Sequence, residues 1–273
     1  MFLYYTLLMV KKSLNYKILI FLGVVLFAIQ LQAQDKTIGS GNKPTTTKEI
    51  ASKHKIMIIP FENRMYLSEI DFMINKESKL TAKQIKATMR DGLNEQFYKK
   101  LKPKIPVVDL LDDTTKTKKD LADIYQYLTY QYLKVPNQDN YKPPVKEKEE
   151  KTINNGQLVV ESNSDARFMN AKLKNATLVP YLGGKYKTDL FLFINELDIK
   201  ALNGMPGDVS SFSSRKIILH YTVYTLDAKE INSGIAEVNL PSNVNNPTKI
   251  INTYFSQLAE IVSARIEKAL VTR

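Results

Sequence analysis

Residues 55–63 read KIMIIPFEN, and their reading decides how the rest of the chain must pack. Ile56, Met57, Ile58 and Ile59 are apolar without alternation, and Pro60 stops the run. A strand apolar on both sides must be covered on both faces. That is the place of a central strand in a layered sheet.

Working outward from it, residues up to about Ser78 read as a loop. Thr81 and Gln84 then form a capping-box pattern. Ala82, Ile85, Met89, Leu93 and Phe97 recur at helical spacing, which predicts a helix over 82–101 ending before Pro103. Pro106 to Leu111 reads as a second short strand. Asp120 to Lys134 reads as a second helix, with Leu121, Ile124, Tyr125, Leu128 and Tyr132 on its inner face. Tyr127 and Tyr130 fall off that face, and Pro136 ends it.

A polar insertion is expected at about 136–176. It holds Pro143-Pro144 and the charge run KEKEEK. Gln157 to Glu161 reads as a short strand and Ala166 to Leu173 as one or two helical turns. Asp189 to Leu202 contains the run LFLFI, a second doubly buried strand. Gly204 to Ser214 reads as a loop. Lys216 to Leu226 (KIILHYTVYTL) is β-branched and aromatic, as strands are. Asp227 to Glu230 turns it back along Ile231 to Leu240. Asn246 and Pro247 supply a cap and a first-turn proline for the last helix. Its stripe is Ile251, Tyr254, Phe255, Leu258, Ile261, Val262 and Ala269.

The order β-α-β-α, insertion, β-β-β-α predicts an α/β (α+β) chain. It forms a mixed β-sheet with helices packed on it, as one domain over 55–273. Before it, residues 1–33 have the form of a secretory signal peptide. Lys11, Lys12 and Lys17 precede the apolar run Ile18 to Ile29, and cleavage is expected between Ala33 and Gln34. Either Met1 or Met9 can be the start. Residues 34–54 read as a flexible leader. The chain is expected to be exported and periplasmic. With no cysteine it has no disulfide and no thiolate, and it lacks the cysteine on which a bacterial lipoprotein is anchored.

The formal charge is +11, and the basic residues are scattered rather than clustered. Weak contact with anionic envelope polymers fits this pattern; a nucleic-acid partner is not expected.

Three segments resemble one group of envelope proteins. KIMIIPFEN (55–63), DLFLFINELDIKA (189–201) and YTVYTLDAKEINSGIAEVNL (221–240) are similar to strands of the LpoB/CsgG-like superfamily, which includes a penicillin-binding-protein activator and a curli secretion protein. The ending Leu31 to Gln34 resembles that of exported proteins of the Bacteroidota. The hairpin turn Asp227-Ala-Lys-Glu230 lacks the family's glycine, and the lipidation cysteine is missing. The resemblance implies a periplasmic binding or assembly factor that acts through its surfaces.

The catalytic inventory is short. His54 and His220 are the only histidines. His54 reads as exposed at the end of the leader, and His220 as a packed strand residue. Asp109, Asp112 and Asp113 read as helix and turn caps rather than Ca²⁺ ligands, since no EF-hand spacing exists. Gly183-Gly184-Lys185 lacks the rest of a phosphate loop and reads as a turn. No catalytic, cofactor or metal residue is assigned.

The expected function is therefore that of a non-enzymatic accessory or assembly factor binding an envelope protein partner. The sheet edge or a tyrosine face, with Tyr127 and Tyr130 as candidates, would carry the contact. The alternatives are a subunit of a homo-oligomeric secretion or motility machine, and a wall-polymer hydrolase limited to carboxylate chemistry.

Overall fold

The computed structural model describes residues 53–136, 153–154, 157–158, 167–202 and 214–272. The signal peptide, its cleavage site, almost all of the leader, most of the insertion and the 203–213 loop lie outside these residues. Thr45–Arg273 forms one compact unit.

The chain enters the sheet at β1 (Ile56–Ile59), whose four side chains are all buried. A 3₁₀ turn (Asn63–Met65), strand β2 (Tyr66–Ser68) and helix α1 (Asp71–Ser78) follow. The loop expected here is thus largely ordered. Its pattern was opaque because β2 is three residues long and pairs with a distant strand. Helix α1 buries only Ile74.

Helix α2 spans Ala82–Leu101, as its periodicity predicts. Its capping box is complete: the Gln84 amide donates to Thr81 Oγ1, and the Thr81 amide donates to Gln84 Oε1. Then come β3 (Val107–Asp109), α3 (Thr114–Gln126) and β4 (Leu128–Lys134). Two short strands, β5 (Ile153–Asn154) and β6 (Gln157–Leu158), pair with each other. Next follow β7 (Arg167–Leu173), α4 (Leu178–Tyr186), β8 (Leu190–Leu202), β9 (Ser214–Thr225) and β10 (Glu230–Pro241). The last helical stretch is α5 (Pro247–Lys249), a π-helical segment (Ile250–Phe255) and α6 (Ser256–Val271). Asn246 caps it by accepting from the Lys249 amide at 3.1 Å.

The main sheet runs β10-β9-β8-β1-β3, with β2 also paired to β8. Strand β1 is parallel to β3 and β8, β2 is parallel to β8, and β8, β9 and β10 form an antiparallel meander. The mixed sheet with helices packed on it is therefore the architecture the sequence order implied.

The alternate residues of β1 and β8 feed two different cores. Ile56, Ile58, Leu190, Leu192 and Ile194 join α2 and α6 on one face. Met57, Ile59, Phe191 and Phe193 join α3, α4 and the β4–β7 pair on the other. Covering both faces is what the unbroken apolar runs demanded.

Three further expectations fail. The helix expected over 120–134 begins earlier and ends at Gln126; 128–134 is a strand, paired antiparallel with 167–173, where helical turns were expected. The sequence LTYQYLK is rich in aromatic and β-branched residues, which favour a pleated surface once a partner strand exists. That partner comes from beyond the insertion, out of reach of local pattern. Gly183 and Gly184 lie inside α4 rather than in a turn. A Cβ at Gly183 would run into Leu226 and the Thr188 carbonyl, so close packing explains that glycine.

Candidate functional site

Among the described residues, Asn170, Asn195, Glu196, Asp198, His220 and Thr222 are buried polar residues gathered where β7 crosses the sheet. A bulge in β8 prepares the place. The register with β9 shifts between Ile194 and Glu196. Before it, Leu192 and Ile194 face the α2/α6 core; after it, Leu197 and Ile199 do. The extra residue changes parity, so Glu196 and Asp198 share the β7 side of the sheet with Asn195.

Strand β9 presents His220, Thr222 and Tyr224 on that same side. These three, with Asn195, hold the backbone of β7. The Met169 amide donates to His220 Nδ1 at 2.9 Å, and the Ala171 amide to Thr222 Oγ1 at 3.3 Å. The Tyr224 hydroxyl donates to the Ala171 carbonyl at 2.9 Å. Asn195 Nδ2 donates to the Met169 carbonyl and to Thr222 Oγ1, both at 2.8 Å. A strand edge is thus satisfied by side chains in place of another strand, which keeps it from pairing elsewhere.

His220 also faces two carboxylates. Its Nε2 lies 3.6 Å from Glu196 Oε1 and 3.7 Å from Asp198 Oδ2. Both distances exceed a hydrogen bond. Glu196, Asp198 and His220 are 2%, 6% and 4% exposed. Asp198 Oδ1 and His220 Nε2 are buried without a hydrogen-bond partner. Burial raises the Glu196 carboxyl above its usual range; His220 opposes that rise and Asp198 adds to it. The Tyr132 hydroxyl sits 3.4 Å from Glu196 Oε1 and is pushed up to about 12, by burial first and then by the Glu196 and Asp198 charges. Lys200 Nζ is 3.8 Å from Asp198 Oδ2.

The bond from Met169 fixes the ring's tautomer. Nδ1 accepts, so in the neutral ring Nε2 carries the proton and points it at the carboxylates. Losing that bond would leave a partly buried amide unpaired, at a cost of about 1 kcal/mol or more.

The tyrosines divide differently from the helical reading. Tyr127, at the end of α3, is 41% exposed, as expected. Tyr130 is half-buried against both cores, with the Arg64 guanidinium 5.9 Å from its ring centroid. Its hydroxyl is raised by burial, then by the Glu62 charge. Tyr132, expected inside, is 53% exposed. In a strand, residues 128, 130 and 132 share one side, so the change of element brings Tyr130 in beside Leu128, where a helix would have turned it away.

His54 is half-buried and not simply exposed: its Nδ1 lies 2.6 Å from Asp189 Oδ2. His220 is packed inside the sheet, as read. Asp109 accepts from the Leu111 amide at 2.8 Å and from Asn94 Nδ2 at 2.6 Å, a turn-capping role. Asp113 flanks α3 and pairs with Lys116 at 2.7 Å.

Glu196 and Asp198 went unread as site residues. Their signal was two consecutive polar residues, Asn195 and Glu196, in an otherwise buried strand. That break of parity marks a bulge.

No family model matches the chain, and no curated protein matches it. Among solved structures it is similar to the hypothetical protein CT253 from Chlamydia trachomatis, at 9% identity and a TM-score of 0.38, over 81% of this chain and 99% of that one. Among the described residues no helix is long and apolar enough to cross a membrane.

Proposed function

We propose that this protein is an exported accessory or assembly factor of the bacterial envelope that works by docking a protein partner, without turning over a substrate. The observation that carries the reading is the surface of β2 and α1. Phe72 is 75% exposed, and Leu67 and Met73 on the same short segment are exposed as well. Large apolar side chains grouped on a surface are what protein-docking patches are made of. The signal-peptide form of residues 1–33 and the likeness of three strands to LpoB/CsgG-like proteins point to a partner in the envelope. The buried polar residues around His220 fit the same view, because most of their hydrogen bonds hold β7 in position.

The test is a photo-crosslinking amino acid at position 72 of the full chain, expressed in its own envelope, followed by mass spectrometry. One dominant envelope protein, lost when the neighbouring Leu67 is changed to Glu, is the expected result. Crosslinks to the chain itself alone would replace this reading with the homo-oligomeric one. A folded, exported chain that crosslinks to nothing at this position would overturn it. Peptide mapping of the exported form should find Gln34 at its N-terminus.

A further inference from the structure

We propose that Glu196, Asp198 and His220 form a binding site for one divalent transition-metal ion, held between β8 and β9 beneath Tyr132. The spacing supports it first. Bonds of about 2.0–2.2 Å at tetrahedral angles leave ligand atoms about 3.3–3.6 Å apart. Here Nε2 stands 3.6 and 3.7 Å from its two carboxylate neighbours, and the three donor atoms all lie within 4.8 Å of one another. These separations are too long for hydrogen bonds and suit a shared ion.

The second support is the unused donors. Asp198 Oδ1 and His220 Nε2 have no hydrogen-bond partner although both residues are more than nine-tenths buried. The third is charge. Buried carboxylates must be paired, neutralised or bound to a cation. Among the described residues, the ammonium nearest these two is Lys200, 3.8 Å from Asp198. Two carboxylates and one imidazole form a donor set for Zn²⁺ or Mn²⁺ rather than for soft ions, which select sulfur.

Coordination has a consequence at β7. An ion at Nε2 needs the lone pair there, so the ring proton moves to Nδ1. Nδ1 then faces the Met169 amide as donor to donor, and that hydrogen bond breaks. Any proton held on the carboxylates passes to solvent. Three-ligand coordination outweighs one hydrogen bond, so the ion binds and β7 loses one of its four side-chain ties. Tyr132, half-exposed over Glu196, marks the side from which the ion and a bound water reach the site.

The experiment is calorimetric titration of the chelator-treated full chain with ZnCl₂ and with MnCl₂, together with amide exchange at Met169. One ion per chain is expected, with faster exchange at Met169 once it is bound. Asp198→Asn and His220→Gln should each weaken binding by about 100-fold or more, since even outer partners of a metal site cost 10- to 100-fold. Glu77→Gln, an exposed carboxylate of α1, should leave it unchanged. Glu196→Gln keeps shape and volume, and its circular dichroism separates loss of a ligand from loss of fold. Saturable binding by neither ion, or binding that survives these substitutions, overturns the proposal. Binding that leaves Met169 exchange unaltered overturns the three-ligand site, because the ion would then be held without His220.

Discussion

Asp120 shows how this protein handles a buried charge. Only 4% of its side chain is exposed, yet Lys185 Nζ reaches both its oxygens at 2.7 Å and the Tyr186 hydroxyl donates to Oδ2. Burial pushes its carboxyl upward, but the Lys185 and Tyr186 hydrogen bonds outweigh burial and hold it below the usual range. A carboxyl depressed in the folded state adds stability above its unfolded value of about 4, and that stability fades as pH falls through the folded value. Asp120→Asn should therefore cost about 1–2 kcal/mol at pH 7, the difference between charged and neutral hydrogen bonds less the screening of exposed Lys185. Denaturant titrations across pH should show the two proteins converging in acid. An undiminished gap at pH 2 would remove the charge from the explanation. Gly183-Gly184-Lys185 reads as a turn but lies inside α4, and nothing local tied Lys185 to Asp120. The same holds for His220, whose packing could be read from KIILHYTVYTL while its carboxylate neighbours could not. A bulge just beyond an apolar run decides which way Glu196 points, and no single window of sequence contains both strands.

At the scale of elements, α2 and the π-helical segment meet where Gly92 lies against Ile251. A Cβ on residue 92 would collide with three carbons of the Ile251 side chain. Ile251 is β-branched and stiff at χ1, so it cannot swing clear without disturbing its neighbours. Gly92→Ala gains about 1 kcal/mol of helix propensity and incurs about 1–3 kcal/mol of overpacking. A net loss of stability is expected, and Gly92→Ala with Ile251→Ala should recover part of it by removing the obstruction. A Gly92→Ala protein more stable than the parent would mean that the two helices are not locked at this contact. Helix α2 itself was fully legible, because its cap, periodicity and stop are all local. Helix α3 was not. Its first turn, Thr114 to Lys119, is polar, and its apolar period runs on into β4 as if one helix continued. Only the pairing of Tyr130 with Ala171 and of Tyr132 with Met169 separates the two elements.

Across the whole molecule, the two faces of the sheet are fastened by different means. The α2/α6 face is an apolar core running from β1 through β10, and it contains fully buried Phe97, Tyr221 and Phe255. The other face carries a smaller core, and its β4–β7 pair adds the side-chain ties of Asn195, His220, Thr222 and Tyr224. Opening the α2/α6 face exposes a large apolar area. Lifting β4 and β7 exposes less apolar area and breaks a few hydrogen bonds, each worth about 1 kcal/mol net. Unfolding should therefore proceed in steps of unequal free energy, with β4 and β7 opening below the global transition. Hydrogen exchange should find β1 and β8 the slowest strands, and 128–134 with 167–173 markedly faster. Thr222→Val keeps the volume and leaves the Ala171 amide and one of the two Asn195 Nδ2 hydrogens without an acceptor, which costs about 1–3 kcal/mol. That loss belongs to the β7 opening and should leave local openings of β1 unaffected, so exchange should quicken in 167–173 by about 10-fold or more for each 1.4 kcal/mol lost in that opening. Uniform acceleration through every strand would instead show that both faces open together and that β7 is part of one cooperative core.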